Sequence, residues 1–70
     1  MKYLIVIEEA VNSYSAYSPD LPGCVAVGLT VEETEQNMRE AIALHLEGLR
    51  AEGMDVPRPS TRSSYVEVAA

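Results

Sequence analysis

Ser18-Pro19-Asp20-Leu21-Pro22-Gly23-Cys24-Val25 is the stretch that decides how this chain folds. Each proline pushes the residue before it out of helical space, so Ser18 and Leu21 are read as extended. Pro22-Gly23 suits the two central positions of a type II turn. Proline presets φ at the first, and glycine accepts φ > 0 at the second. The chain therefore arrives extended, reverses, and leaves extended through Cys24-Val25-Ala26-Val27. Gly28 breaks that strand. Thr30-Val31-Glu32-Glu33 then opens a helix as a capping box, with the Thr30 hydroxyl accepting from the Glu33 N–H and the Glu33 carboxylate reaching back to the Thr30 N–H.

Working outward, Tyr3-Leu4-Ile5-Val6-Ile7 is a continuous apolar, β-branched run that reads as a buried central strand. Glu8 and Glu9 end it, and Asn12-Ser13 marks a turn. Tyr14-Ser15-Ala16-Tyr17 is a second strand, closed by Pro19. The short connections make the three strands an antiparallel meander. Downstream, the helix continues on good formers to Glu52, with Gly53 as its C′ residue. Val31, Met38, Ala41, Ile42, His45 and Leu49 form an apolar stripe, widened by Leu44 and Leu46. An exposed intrahelical pair of Glu35 with Arg39 is expected. After an extended Val56–Ser60 connector, Tyr65-Val66-Glu67-Val68 alternates as a fourth strand. A right-handed crossover through the helix would lay it parallel beside strand one. The expected fold is α+β, of order β-β-β-α-β, one domain over residues 1–70 with one helix on one sheet face.

Size and charge bound what such a chain can do. Seventy residues supply a core worth on the order of 3–5 kcal/mol. One cysteine rules out an internal disulfide, and one histidine rules out a Cys/His metal site. Strand one is apolar on both faces, Tyr3, Ile5 and Ile7 on one and Leu4 and Val6 on the other, yet one helix covers one face. A homo-oligomer, dimer or tetramer, is therefore expected. The net charge of −6, from 11 acidic and 5 basic residues, disfavours direct nucleic-acid binding, which needs clustered Lys and Arg. The N-terminal apolar run is too short for a signal sequence or a membrane span, so a cytoplasmic protein with no membrane role is expected.

No nucleotide-binding, CxxC or HExxH motif occurs. His45 lies on the apolar stripe and is read as structural. Cys24 has no nearby group to lower its pKa and is read as a small packed residue. Glu8, Glu9, Glu40, Glu47 and Glu67 leave a remote divalent-metal nuclease reading, since two-metal sites gather such acids. None sits inside an apolar run, however, and the expectation is no enzyme, no cofactor and no metal.

The run Tyr14 to Glu33, continued by Asn37-Met38-Arg39-Glu40-Ala41-Ile42, resembles the N-terminal domain of the HicB-like antitoxins. It carries that family's aromatic, its Pro-Asp-Leu-Pro-Gly turn, a cysteine, a glycine, Thr-x-x-Glu and Asn-x-x-x-Ala. The resemblance spans residues 3 to about 68. It implies a partial RNase H-like fold and an antitoxin that binds and masks a small basic HicA-type toxin acting on mRNA. Many members carry a further C-terminal DNA-binding segment. This sequence runs out after strand four, so no DNA contact is expected of it. The acids of a working RNase H site are not in register on strand one. Partner contact is placed on the acidic rim and the turn, at Glu8, Glu9, Asp20, Leu21 and Pro22.

Overall fold

The computed structural model describes residues 1–69; Ala70, the end of the expected domain, lies outside the described residues. Three strands and a helix follow in order: β1 (Val6–Ala10), β2 (Ser13–Tyr17), β3 (Val25–Gly28) and α1 (Val31–Ala51). The sheet is an antiparallel meander in the order β1-β2-β3. The β1–β2 loop is Val11-Asn12, one residue earlier than the turn signal suggests. Asn12 takes a φ of 59° there, a conformation asparagine accepts more readily than most residues.

The Ser18–Cys24 segment is two β-turns in tandem. The Leu21 N–H donates to Ser18 O, and the Cys24 N–H donates to Leu21 O, each at 3.1 Å. Both turns carry proline in the second position. Gly23 has a φ of 83°, as the type II reading requires. The residue shared by the two turns, Leu21, is driven inward and is completely buried. It meets Ala16, Cys24, Met38 and Leu46 in the core, with Tyr3, Ile5, Ile7 and Ala26 packed around them.

The helix begins as the capping box dictates, with one change of partner. The Glu33 N–H donates to Thr30 Oγ1 at 3.0 Å, but the Glu33 carboxylate accepts from the Leu29 N–H at 3.3 Å. Thr34 is fully buried and its hydroxyl donates to Thr30 O at 2.7 Å. Thr34 thus fills the first turn's inward position, while Val31 and Leu44 of the expected stripe stay exposed. Asn37 Nδ2 donates to Val27 O at 2.8 Å and ties the helix to β3. Arg39 donates to Gln36 Oε1 at 2.8 Å rather than pairing with Glu35. At the far end the Met54 N–H reaches Leu49 O at 2.9 Å around Gly53, whose φ is 70°. This six-to-one closure is a Schellman motif.

Two expectations about the sheet are corrected. Among the described residues Tyr65–Val68 pairs with no strand, and β1 is therefore an edge strand there, not a central one. Alternation specifies that a segment can be a strand but not which edge receives it. Asp20 also intervenes, because it holds the chain at Ser60 and Thr61. Tyr65, Val66 and Val68 beyond that clamp lie wholly exposed. Strand one also starts later than its apolar run, at Val6. Its hairpin partner β2 ends at Tyr17, opposite Val6, so Tyr3–Ile5 run past the ladder.

The tightest joint is between β3 and α1. A Cβ on Gly28 would meet Thr34 Oγ1 at 2.6 Å and Thr34 N at 2.7 Å. Gly28→Ala should therefore cost about 1–3 kcal/mol in urea unfolding, as overpacking does. Gly48 lies in the helix with nothing within 4 Å of its would-be Cβ. Gly48→Ala should raise stability by about 0.5–1 kcal/mol in the same assay.

Candidate functional site

The ladder register sorts the strand residues between two faces. Val6, Tyr17 and Val25 stand in one cross-strand row, and Glu8, Ser15 and Val27 in the next. Both rows lie on the face away from the helix, because the alternate residues Ile7, Ala16 and Ala26 belong to the core on the other side. Tyr17 is 41 % exposed, Val25 65 % and Val27 66 %. An aromatic and two valines on adjacent strands form an apolar patch that water covers at a cost. Glu8, exposed, flanks it at the β1 end, while Glu9, also exposed, falls in the next row, on the helix-side face of the strand. The two-faced apolar character of strand one signalled this surface in the sequence; the contribution of β3 to it needed the register.

The five residues expected to meet a partner end up in different settings. Glu8, Glu9 and Pro22 are exposed. Leu21 is core and offers no side chain to a partner. Asp20 is engaged within the chain. Its Oδ1 accepts from Thr61 Oγ1 at 2.7 Å and Ser60 Oγ at 3.1 Å. Its Oδ2 accepts from the Ser60 N–H at 3.1 Å and the Thr61 N–H at 3.2 Å. Tyr3 adds a second tie, donating its hydroxyl to Pro57 O. No local signal marks these closures, since both lie far along the chain from their partners.

Among the described residues no three His, Cys, Asp or Glu side chains gather closely enough to hold a metal ion. Cys24 is buried, and desolvation pushes its thiol pKa up, the opposite of what a nucleophile needs. His45 is half-buried beside Gly23, Cys24 and Leu44. Among the described residues no helix is long and apolar enough to cross a membrane. A cleft of about 420 Å³ opens between the N-terminal segment and α1, lined by Met1, Lys2, Tyr3, Ile5, Glu35, Met38, Arg39 and Ile42. It lies where the sheet ends at β1.

With that surface described, comparison with known proteins becomes informative. The family model for the HicB_like antitoxin of bacterial toxin–antitoxin systems matches residues 3–69. The chain belongs to the HicB-like antitoxin family. Among relatives of this antitoxin-family chain, a 14.9 kDa protein from the rep-hol intergenic region of Haemophilus phage HP1 is 35 % identical over 94 % of it. The chain spans only 50 % of that phage protein. A UPF0150 protein of Synechocystis is 42 % identical over 80 % of the chain and 72 % of its own length. One of Thermoplasma acidophilum is 36 % identical over 94 % of the chain and 97 % of its own length. The fold matches a chain of a solved HicA3 and HicB3 toxin–antitoxin complex with a TM-score of 0.74 and 37 % identity. That match covers 86 % of this chain and 70 % of the other.

The Asp20 clamp has a pH signature. The hydroxyl and N–H of Thr61 lower the Asp20 pKa most, and the N–H and hydroxyl of Ser60 add to this; against an opposing desolvation they bring it from 3.8 to about 2. The folded value lies below the unfolded one. The clamp's contribution to stability is therefore complete above pH 3.8 and is lost as pH falls toward about 2. In an NMR titration the Ser60 and Thr61 amide signals should shift in that window. Asp20→Ala should abolish the step and bring both amides to unstructured positions at neutral pH.

Proposed function

We propose that this chain binds and masks a small basic HicA-type toxin directed at mRNA. The observation that carries this reading is the likeness to a chain of the HicA3–HicB3 complex, at 37 % identity over most of the sequence. The family assignment supports it. The net charge of −6 suits a basic partner, steering the encounter and disfavouring nucleic acid as a rival. The uncovered face of Tyr17, Val25 and Val27, flanked by Glu8 with Glu9 at the strand's end behind it, offers what a protein interface uses: an apolar centre with a charged rim. The antitoxin acts by occlusion rather than catalysis, in the cytoplasm, on a partial RNase H-like scaffold and without direct nucleic-acid contact.

Self-association accompanies this role in the same reading, as a dimer or tetramer. A second function, a homo-oligomeric structural or regulatory module with no toxin partner, is favoured by the same open face and by the exposed Tyr65–Val68 segment. Co-expression with a small basic HicA-type protein encoded beside the gene separates the two. Rescue of growth and co-purification are expected. Absence of both, with self-association intact, rejects the toxin role and leaves the regulatory module.

Substitutions locate the interface. Val25→Glu with Val27→Glu should weaken toxin binding by more than about tenfold, because each buries a carboxylate in an apolar contact. Glu8→Gln with Glu9→Gln should slow association about threefold at low salt and flatten its salt dependence. Surface plasmon resonance over a salt series checks both. Unchanged kinetics in all four positions would move the interface off this face.

A further inference from the structure

We propose that Tyr65–Val68 is a strand built for a second copy of this chain, adding antiparallel to the edge formed by that copy's residues 2–8, the approach to β1 and its first residues, in a reciprocal exchange. The inference rests on the self-association proposed above and gives it a geometry. Three observations meet here. The first is the tail itself. Tyr65 is 103 % exposed, Val66 80 % and Val68 75 %, so an aromatic and two β-branched residues stand in water. A segment of that composition is a strand lacking a neighbour.

The second is a matching vacancy. Among the described residues β1 ends the sheet, with β2 as its one neighbouring strand. The cleft beside it, floored by Tyr3, Ile5, Met38 and Ile42, is where one face of an added strand would rest against α1. Val66 and Val68 share a face by alternation. Added beside β1, that face can enter the cleft while the backbone completes the sheet. The same edge and the same tail occur on every copy, so two chains can trade tails about a two-fold axis.

The third is charge and reach, which together select another copy over the chain's own edge. The tail carries Arg62 before the strand and Glu67 within it; β1 and its approach carry Lys2 at the start and Glu8 and Glu9 at the end. Antiparallel pairing sets Arg62 toward Glu8 and Glu67 toward Lys2. Parallel pairing sets like charges together at both ends, which is destabilising. The chain's own tail leaves from the Asp20 clamp at Thr61. Asp20 sits two residues beyond Ser18, whose hydroxyl donates to Leu4 O at 3.0 Å. The tail thus exits at the starting end of its own β1. An antiparallel start at Glu8 lies about 13 Å further along the strand, four residues at 3.3 Å each, and Arg62 directly follows the clamp. A second copy presents its β1 in the required direction.

The test uses the full chain. Sedimentation should show at least twice the 7.6 kDa monomer mass. In a 1:1 mixture of ¹³C/¹⁵N-labelled and unlabelled protein, isotope-filtered NOEs should join the Val66 and Val68 methyls of one chain to Tyr3 or Ile5 of another. Val66→Pro should weaken the dimer at least about tenfold by removing a ladder donor, with the circular dichroism of α1 unchanged. A monomer at all concentrations overturns both self-association and the exchange. A dimer whose tail NOEs are intramolecular, absent, or place Glu67 beside Glu8 or Glu9 overturns the exchange alone. Toxin binding is read out separately, so its failure does not bear on this result.

Discussion

The structure depends on Leu21 being carried into the core by two turns that share it. Each turn is set by a proline and closed by a backbone hydrogen bond. A buried leucine is worth about 1.5–3 kcal/mol in removed apolar surface. Here it also sits between the layers, in one core cluster with Ala16 and Cys24 on the sheet side and Met38 and Leu46 of the helix. The turns cost little, because proline and glycine already occupy the conformations they need. The rest follows from the direction in which this connector releases the chain. β3 starts at Val25, ends at a glycine that admits Thr34 almost to contact, and the helix settles over the inner face.

What the sequence discloses and what it withholds divide along local and long-range lines. The tandem turn, the cap at Thr30 and the stop at Gly53 are short-range devices, and each is legible from residue types alone. Thr34 is the instructive miss. A threonine in the first turn reads as polar surface, but its hydroxyl is satisfied by Thr30 O and its hydroxyl and backbone then lie hard against Gly28. Asn37 is similar: it reads as part of a family pattern, and only the structure shows its amide on Val27 O. The fourth strand fails for a different reason. Its alternation is real, but the edge it belongs to is not written in Tyr65–Val68. The candidate surface was half visible, through the two-faced β1 run, while the share of Tyr17, Val25 and Val27 depends on register. The placement of Asp20 was invisible, since its partners lie 40 and 41 residues away.

Function in such a small domain is a matter of surfaces left over after folding. The helix occupies one face of three short strands, and family membership directs attention to protein recognition. The two free features, an apolar face and an open edge, are geometrically separate. One points away from the helix and the other lies in the plane of the sheet. In the reading proposed above, the chain would hold a copy of itself by its edge and a different protein by its face without the two competing.

The Asp20 clamp has a consequence for how the molecule comes together. The hairpins and the helix join neighbours along the chain, the class of topology that folds fastest. The clamp closes a loop of about forty residues and the Tyr3–Pro57 tie a longer one, so both form on a unit that is already finished. Assembly is thereby divided in time: a quick local stage that makes the domain, and a later one in which the carboxylate fixes the direction in which the tail departs. Order of synthesis agrees with this division, because every residue of the turn has emerged from the ribosome before Ser60 and Thr61 exist to meet it.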